Sequence, residues 1–238
     1  CDFATFAYAG DVHRLHASGQ LEKQVLLNEY PFRQVIVIYQ ECDIPGWLEC
    51  TYPVLQIKLD DIDFTLRAYE IDLEREQYSS SVDKHHTWKQ HVANHLEAVR
   101  HSPSDYIVFA DNDCWMIKQP DSWVTQGIEI LENNPDVFIV SPNDGESERK
   151  TQVMSQQMFL TRTDDFRSAD FNQPGWDGNV HVLGGPLPEY WSMLEGRMAL
   201  YCKYVGKYRY VLPPEYRYFH HNRLNEDGSY KTNYSDYG

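Results

Sequence analysis

Asp111 and Asp113 are the side chains of this sequence best placed to do chemistry. The apolar run within Asp105-Tyr-Ile-Val-Phe-Ala-Asp-Asn-Asp113 discharges directly into them. Residues two apart on an extended strand point the same way, roughly 7 Å apart at about 3.3 Å per residue, so both carboxylates would face one ligand. The carboxyl end of a strand in an open α/β sheet is also where such folds bind ligands. Two carboxylates there can hold a divalent cation in oxygen coordination, and the cation can bridge a diphosphate. Asn112 adds a neutral polar group between them.

The elements that must position this pair follow from periodicity. Phe3 to Ala9 and Gln34 to Tyr39 read as strands, and Asp11 to Tyr30 carries Leu15, Leu21, Val25 and Leu26 at helical spacing, which makes a β-α-β unit. A strand is expected at Val54 to Leu59 after the Pro45-Gly46 turn, and a further extended segment at Phe64 to Ile71. Ser81 to His101 reads as a helix with Val82, Val92, Leu96 and Val99 on its apolar stripe, capped by the serine. It feeds the strand Tyr106 to Ala110. Helix Trp123 to Asn133 and strand Val137 to Val140 follow, closing on the turn Ser141-Pro-Asn-Asp-Gly145. Beyond it the sequence predicts a strand at Gln152 to Thr161, a Gly-rich loop at Pro174 to Gly185, a helix at Leu187 to Val205 and a strand at Tyr208 to Leu212. The tail from Asn222 reads as loop or partly disordered. Alternating strands and helices in the first part point to an α/β fold with a mostly parallel central sheet flanked by helices.

The totals bound the partners. The chain has 238 residues, enough for one domain with a sizeable core. Its 21 basic and 36 acidic residues give a net charge of −15, which repels polyphosphate and argues against nucleic acid or anionic membranes as partners. A phosphate ligand therefore needs a cation or a local basic patch. Five cysteines without a CxxC pair fit reduced thiols and a cytoplasmic protein. No apolar run approaches the roughly 18 residues of a membrane span, and no signal-like segment is present. The 17 Tyr and 6 Trp offer flat, hydrogen-bonding surfaces of the kind that line sugar or base sites.

With these segments in order, residues 3 to 222 resemble the nucleotide-sugar glycosyltransferases of the GT-A fold, in particular the family-two-like enzymes with a DxD motif. The resemblance implies that Asp111-Asn112-Asp113 binds the metal, Mn²⁺ or Mg²⁺, and the donor diphosphate, with Asp113 the more direct ligand and Asp111 reaching the ribose. Asn94, within His91-Val-Ala-Asn-His95, would face the donor, and Lys84, Lys89 or His95 would supply positive charge. Ala7, Tyr8 and Asp11 at the first strand-to-helix turn, with Gln40 and Glu41 after the second strand, would contact base and ribose. Here the sequence departs from the family, which commonly has acidic residues followed by Gly-Ser after that strand.

The run from Gly184-Gly185 through Trp191 and Glu195 to Gly206-Lys-Tyr-Arg-Tyr-Val-Leu-Pro213 resembles the family's acceptor segment. Glu195 matches the position of the catalytic base by its distance from the flanking glycines, although Gly196 stands where a second acid is usual. Asp177 and Glu189 compete for that role. A carboxylate there can take the proton from an attacking hydroxyl. Trp176 and Trp191 would form aromatic platforms for the acceptor. At the end of Pro213-Pro-Glu-Tyr-Arg-Tyr-Phe-His220-His221, one histidine would be a further metal ligand; neighbouring strand residues face opposite ways, so at most one of the pair reaches it. Imidazole beside the two aspartates suits Mn²⁺.

Residues 1 to 145 would then bind the nucleotide sugar, UDP-sugar favoured, and residues 146 to 238 a glycan or small hydroxyl acceptor. A sugar-phosphate nucleotidyltransferase is the alternative enzyme, but it should carry a GxGxR-like loop, and Ala9-Gly10-Asp11-Val12 is not one. A non-catalytic carbohydrate- or metal-binding module is the third reading.

Overall fold

The strand that ends at Asp111 lies in the interior of an eight-stranded sheet. The structure, a computed structural model, describes residues 1–7, 19–40, 48–68, 71, 82–144, 149–155, 157–172, 181–182, 185–186 and 194–220. Its strands are β1 (Asp2–Ala7), β2 (Val35–Tyr39), β3 (Val54–Lys58), β4 (Tyr106–Asp111), β5 (Cys114–Lys118), β6 (Val137–Ser141), β7 (Lys150–Thr151), β8 (Met158–Arg162), β9 (His181–Val182), β10 (Gly185–Pro186), β11 (Tyr208–Val211) and β12 (Arg217–His220). The helices are α1 (Gln20–Leu26), α2 (Ile62–Ala68), α3 (Val82–His101), α4 (Trp123–Asn133), α5 (Thr163–Arg167) and α6 (Leu194–Val205).

The main sheet has the order β3-β2-β1-β4-β8-β6-β11-β7. From β3 to β4 every pairing is parallel, as the alternating β/α pattern requires. Beyond β4 the sheet, mostly parallel as expected, becomes mixed: β8 runs antiparallel to both β4 and β6, β11 parallel to β6, and β7 antiparallel to β11. No helix lies among the described residues between β6 and β8, and a parallel return needs a long crossover, usually helical.

Alternation along β1 and β4 divides the apolar residues between two layers. Ala4, Phe6, Ile107 and Phe109 join the core under α3, α5 and α6. Phe3, Ala7, Val108 and Ala110 join the opposite core with Leu21 and Val25 of α1 and Trp123 and Val124 of α4. Each strand is thus covered on both faces.

Two expectations are corrected. Phe64 to Ile71 is not extended: residues 62–68 are α2, because Ile62 and Leu66, four apart, turn one face onto the core shared with α3. The strand expected at Gln152 to Thr161 is shortened to β8, and β7 lies just before the expected span. Thr151 Oγ1 accepts the Val153 amide at 3.1 Å, a local turn that removes the chain from the ladder before Met154 buries. No helix among the described residues is long and apolar enough to cross a membrane.

Candidate functional site

The order β3-β2-β1-β4 winds outward from β1 in both directions, so a crevice opens between the carboxyl ends of β1 and β4, the place where open α/β sheets bind ligands. Asp111 is the ladder partner of Phe6 at the foot of that crevice. The strand does not continue through Asp113 as an extended reading requires. It stops at Asp111, Asn112 and Asp113 form a turn, and Cys114 begins β5. Turning rather than pleating converges the side chains: single ligand atoms of Asp111, Asp113 and Cys114 all lie within 4.8 Å of one another. Two carboxylate oxygens at that separation, one residue half-buried and the other 5% exposed, suit a divalent cation with open positions for a ligand.

The turn is pinned from every side. Asn112 Nδ2 donates to the Phe6 carbonyl at 2.8 Å, tying the turn to β1. From α1, Gln20 Nε2 donates to the Asn112 carbonyl at 3.0 Å, and Gln24 Nε2 donates to the carbonyls of Asp111 at 2.7 Å and Cys114 at 2.9 Å. Trp115 Nε1 also donates to the Asn112 carbonyl, and the Asp111 amide donates to the Gln157 carbonyl at 2.8 Å. Three carbonyls of one tight turn, two of them in buried bonds, are thereby satisfied by side chains. Gln20 and Gln24 escape sequence reasoning because they look like the polar part of an amphipathic helix. Their signal is subtle: they sit at i and i+4 beside Leu21 and Val25, on the face that buries.

The last described strand also returns to this turn. β5, which sequence reasoning does not anticipate, pairs antiparallel with β12, and the register sets His220 opposite Cys114, one residue from Asp113. Tyr218 Oη donates to Gln157 Oε1 at 2.8 Å, and Tyr216 Oη donates to Asp121, so β12 is anchored within its first half and just before it. Burial and the Asp121 carboxylate push the Tyr216 phenol up to about 12, keeping it protonated and donating.

Of the expected donor contacts, Ala7, Gln40 and Asn94 converge near the same edge. The Gln40 amide donates to the Ala7 carbonyl at 3.3 Å, and Gln40 Nε2 donates to Asn94 Oδ1 with both residues 1% exposed. Lys84 lies in the first turn of α3. Tyr8, Asp11, Glu41, Asp177, Trp176, Gly184, Glu189, Trp191 and His221 lie outside the described residues.

His95 is not a source of positive charge. It is fully buried, its ring packed against Phe6, Phe109 and Phe159, and desolvation pulls its pKa down to about 3. A histidine whose pKa is lower folded than unfolded contributes stability that is complete above the unfolded value, near 6.5, and declines as pH falls toward the folded one. The melting temperature should therefore fall between roughly pH 6.5 and 4, with a shallower slope in His95→Phe; an unchanged slope would refute this assignment.

On the acceptor side, Glu195 occupies the first turn of α6, 8% exposed, where the helix dipole favours a carboxylate. Arg197 Nη1 donates to the Phe171 carbonyl at 3.0 Å. Gly185 is not in an open loop: it pairs with Val182 where β9 and β10 run antiparallel. Arg209 is a framework residue, fully buried, donating from Nε to Ser141 Oγ at 2.8 Å and ion-paired through Nη2 with Asp144.

Comparison with known proteins gives this geometry a class. Residues 71–186 match the model of glycosyl transferase family 2, a segment that contains α3, β4 and the Asp111–Asp113 turn. The mouse xyloside xylosyltransferase 1 structure in its apo form superposes with a TM-score of 0.53 at 9% identity, over 89% of this chain and 85% of that one. Two others are more distant. The galactosyltransferase LgtC, solved with donor and acceptor sugar analogues, has a TM-score of 0.39 at 10% identity over 71% of this chain, which spans 60% of its length. TarS of S. aureus has a TM-score of 0.45 at 11% identity over 92% of this chain, which spans 36% of its length. A search of curated proteins finds no match. The xylosyltransferase likeness establishes the fold, a mixed α/β sheet flanked by helices of the GT-A kind. The family match carries the reaction class: the protein is a transferase enzyme, and its reaction is glycosyl transfer.

Proposed function

We propose that this protein moves a sugar from a nucleoside diphosphate donor, a UDP-sugar in the first instance, to a hydroxyl of a glycan or small-molecule acceptor. The observation that carries the reading is the pinned turn at the crevice between β1 and β4, where oxygens of Asp111 and Asp113 and the Cys114 sulfur lie within 4.8 Å. Asp113 and Asp111 would hold Mn²⁺ or Mg²⁺. The register of β12 favours His220 over His221 as the added ligand, because His220 is the residue opposite Cys114. Such a cation, when bound, neutralises charge on the departing diphosphate, where negative charge grows as the glycosidic bond to the donor breaks.

The residues of this chain supply the rest. Ala7, Gln40 and Asn94, hydrogen-bonded to one another at the carboxyl ends of β1 and β2, would hold the nucleoside, joined by Tyr8, Asp11, Glu41 and Lys84. Glu195 would take the proton from the acceptor hydroxyl, with Asp177 and Glu189 the other carboxylates of that half. Trp176 and Trp191, flanking Gly184 and Gly185, would carry the acceptor. We assign donor binding to residues 1–145 and acceptor binding to 146–238, within one domain, and place the protein in the cytoplasm in keeping with five cysteines that hold no CxxC pair.

Incubation with Mn²⁺ and a panel of UDP-, GDP- and dTDP-sugars tests the reading. Slow release of nucleoside diphosphate without acceptor is expected for one donor, and its loss on chelation. A nucleotidyltransferase would instead release pyrophosphate from a nucleoside triphosphate and a sugar phosphate. A binding module would release neither.

A further inference from the structure

We propose that Gln20 and Gln24 of α1 are positioning residues for the acidic turn: they fix its backbone so that the Asp111 and Asp113 carboxylates stay converged in the absence of any ligand. The inference deepens the proposed donor site and rests on that reading for its metal. It assigns part of the site's preorganisation to a helix that lies outside the segment matched by the family model, residues 71–186.

The argument starts from electrostatics. Two carboxylates that share a site repel each other when no cation is bound, and the repulsion drives a flexible turn to splay. Opposing it takes a backbone with few alternatives. A turn gains alternatives when its carbonyls can exchange one partner for another, and here three carbonyls are committed. Gln24 Nε2 spans the turn, donating to Asp111 at its first residue and Cys114 at its last. Gln20, one helical turn earlier, takes the carbonyl of Asn112 between them. Both side chains are buried, Gln24 completely and Gln20 to 8% exposure, so water is kept from the bonds to Asn112 and Cys114 and partly from the bond to Asp111.

The orientation of the Gln24 amide is fixed by chemistry. Only the nitrogen can face two carbonyl oxygens, and Gln24 Oε1 has no partner among the described residues. A buried amide that leaves its own oxygen unsatisfied carries a desolvation cost, and the two bonds across the turn are what it gains in return. Helix α1 is in turn held where it can deliver them. Asn28 Nδ2 closes its end on the Gln24 carbonyl at 2.8 Å, and Trp123 Nε1 donates to Asn28 Oδ1 at 2.7 Å. Leu21 and Val25 anchor the same face in the core.

Gln24→Met and Gln20→Met keep length and helix propensity and remove the donors. Val25→Ala, in the same helix, lowers stability without touching the turn. Two measurements are made on the full chain: Mn²⁺ affinity, from the paramagnetic resonance of free Mn²⁺ with and without UDP, and amide hydrogen exchange of the peptide spanning 111–114 without metal. Partners behind a metal ligand typically govern about tenfold to hundredfold in affinity. Gln24→Met should therefore weaken Mn²⁺ by at least about tenfold and speed exchange at the turn, with Gln20→Met smaller in both and Val25→Ala within about twofold of the parent.

The inference is overturned if folded Gln24→Met matches the parent in both measurements, or if Val25→Ala weakens Mn²⁺ as much. Should Gln24→Met fail to fold, Gln20→Met decides by the same two criteria. If the parent binds no Mn²⁺, the metal reading fails, and turn exchange alone decides whether the clamp stands.

Discussion

Replacing Asp113 with Asn should reduce turnover at least about a thousandfold, on the order of 4 kcal/mol of transition-state stabilisation, while leaving the protein folded. The carboxamide fills the same volume and keeps one acceptor oxygen, so the turn's packing and the bonds from Gln20, Gln24 and Asn112 survive. It removes the charge that the divalent cation requires. The substitution also relieves repulsion with Asp111, whose ligand oxygen lies within 4.8 Å, so the metal-free variant should melt no lower than the parent. Turnover near the parental level with Mn²⁺ present would remove Asp113 from the metal site. A large fall in melting temperature would instead make it a structural residue.

The second large effect is on stability and lies away from the crevice. Arg209→Met should cost about 3–5 kcal/mol, read from the urea midpoint at constant slope, because it removes the guanidinium that faces a buried carboxylate. The side chains of Arg209 and Asp144 are both 0% exposed, and the guanidinium also serves Ser141 Oγ and the Val153 carbonyl, joining the end of β6 to the chain beyond β7. Substituting one partner removes the cation that faces the other's buried charge. Removing both charges with Arg209→Met and Asp144→Leu should recover much of the loss, since desolvating an ion pair offsets most of its attraction. A single substitution costing less than about 1 kcal/mol would show that water reaches the pair.

Arg209 falls within the run that resembles an acceptor segment, with nothing local to mark it as a framework residue. In sequence it is one residue of Gly206-Lys-Tyr-Arg; only the fold shows that it faces inward to meet Asp144. His95 shows the same limit. As a polar residue near Lys89 and Asn94 it fits a diphosphate site, yet the 3.6-residue period of α3 turns it toward Phe6, Phe109 and Phe159 with Leu96 and Val92. Segment Phe64 to Ile71 failed for want of length, since a short apolar run does not separate strand from helix by itself.

What the sequence by itself determined is local and periodic. The parallel half of the sheet, α3 feeding β4, and the carboxylates at the end of β4 are all written in runs of residues that decide their own conformation. The tertiary structure alone decided whatever needs two distant segments to meet. Gln24 reaches a carbonyl 87 positions away, Asn112 one 106 positions away, and His220 arrives opposite Cys114 through a strand pairing. Nothing local in a glutamine or an asparagine distinguishes a solvated amide from one that spans a turn, because the difference lies in the burial and the partner supplied by the fold. The acidic pair is thus legible as chemistry from its spacing, and its convergence belongs to the helix and strands packed around it.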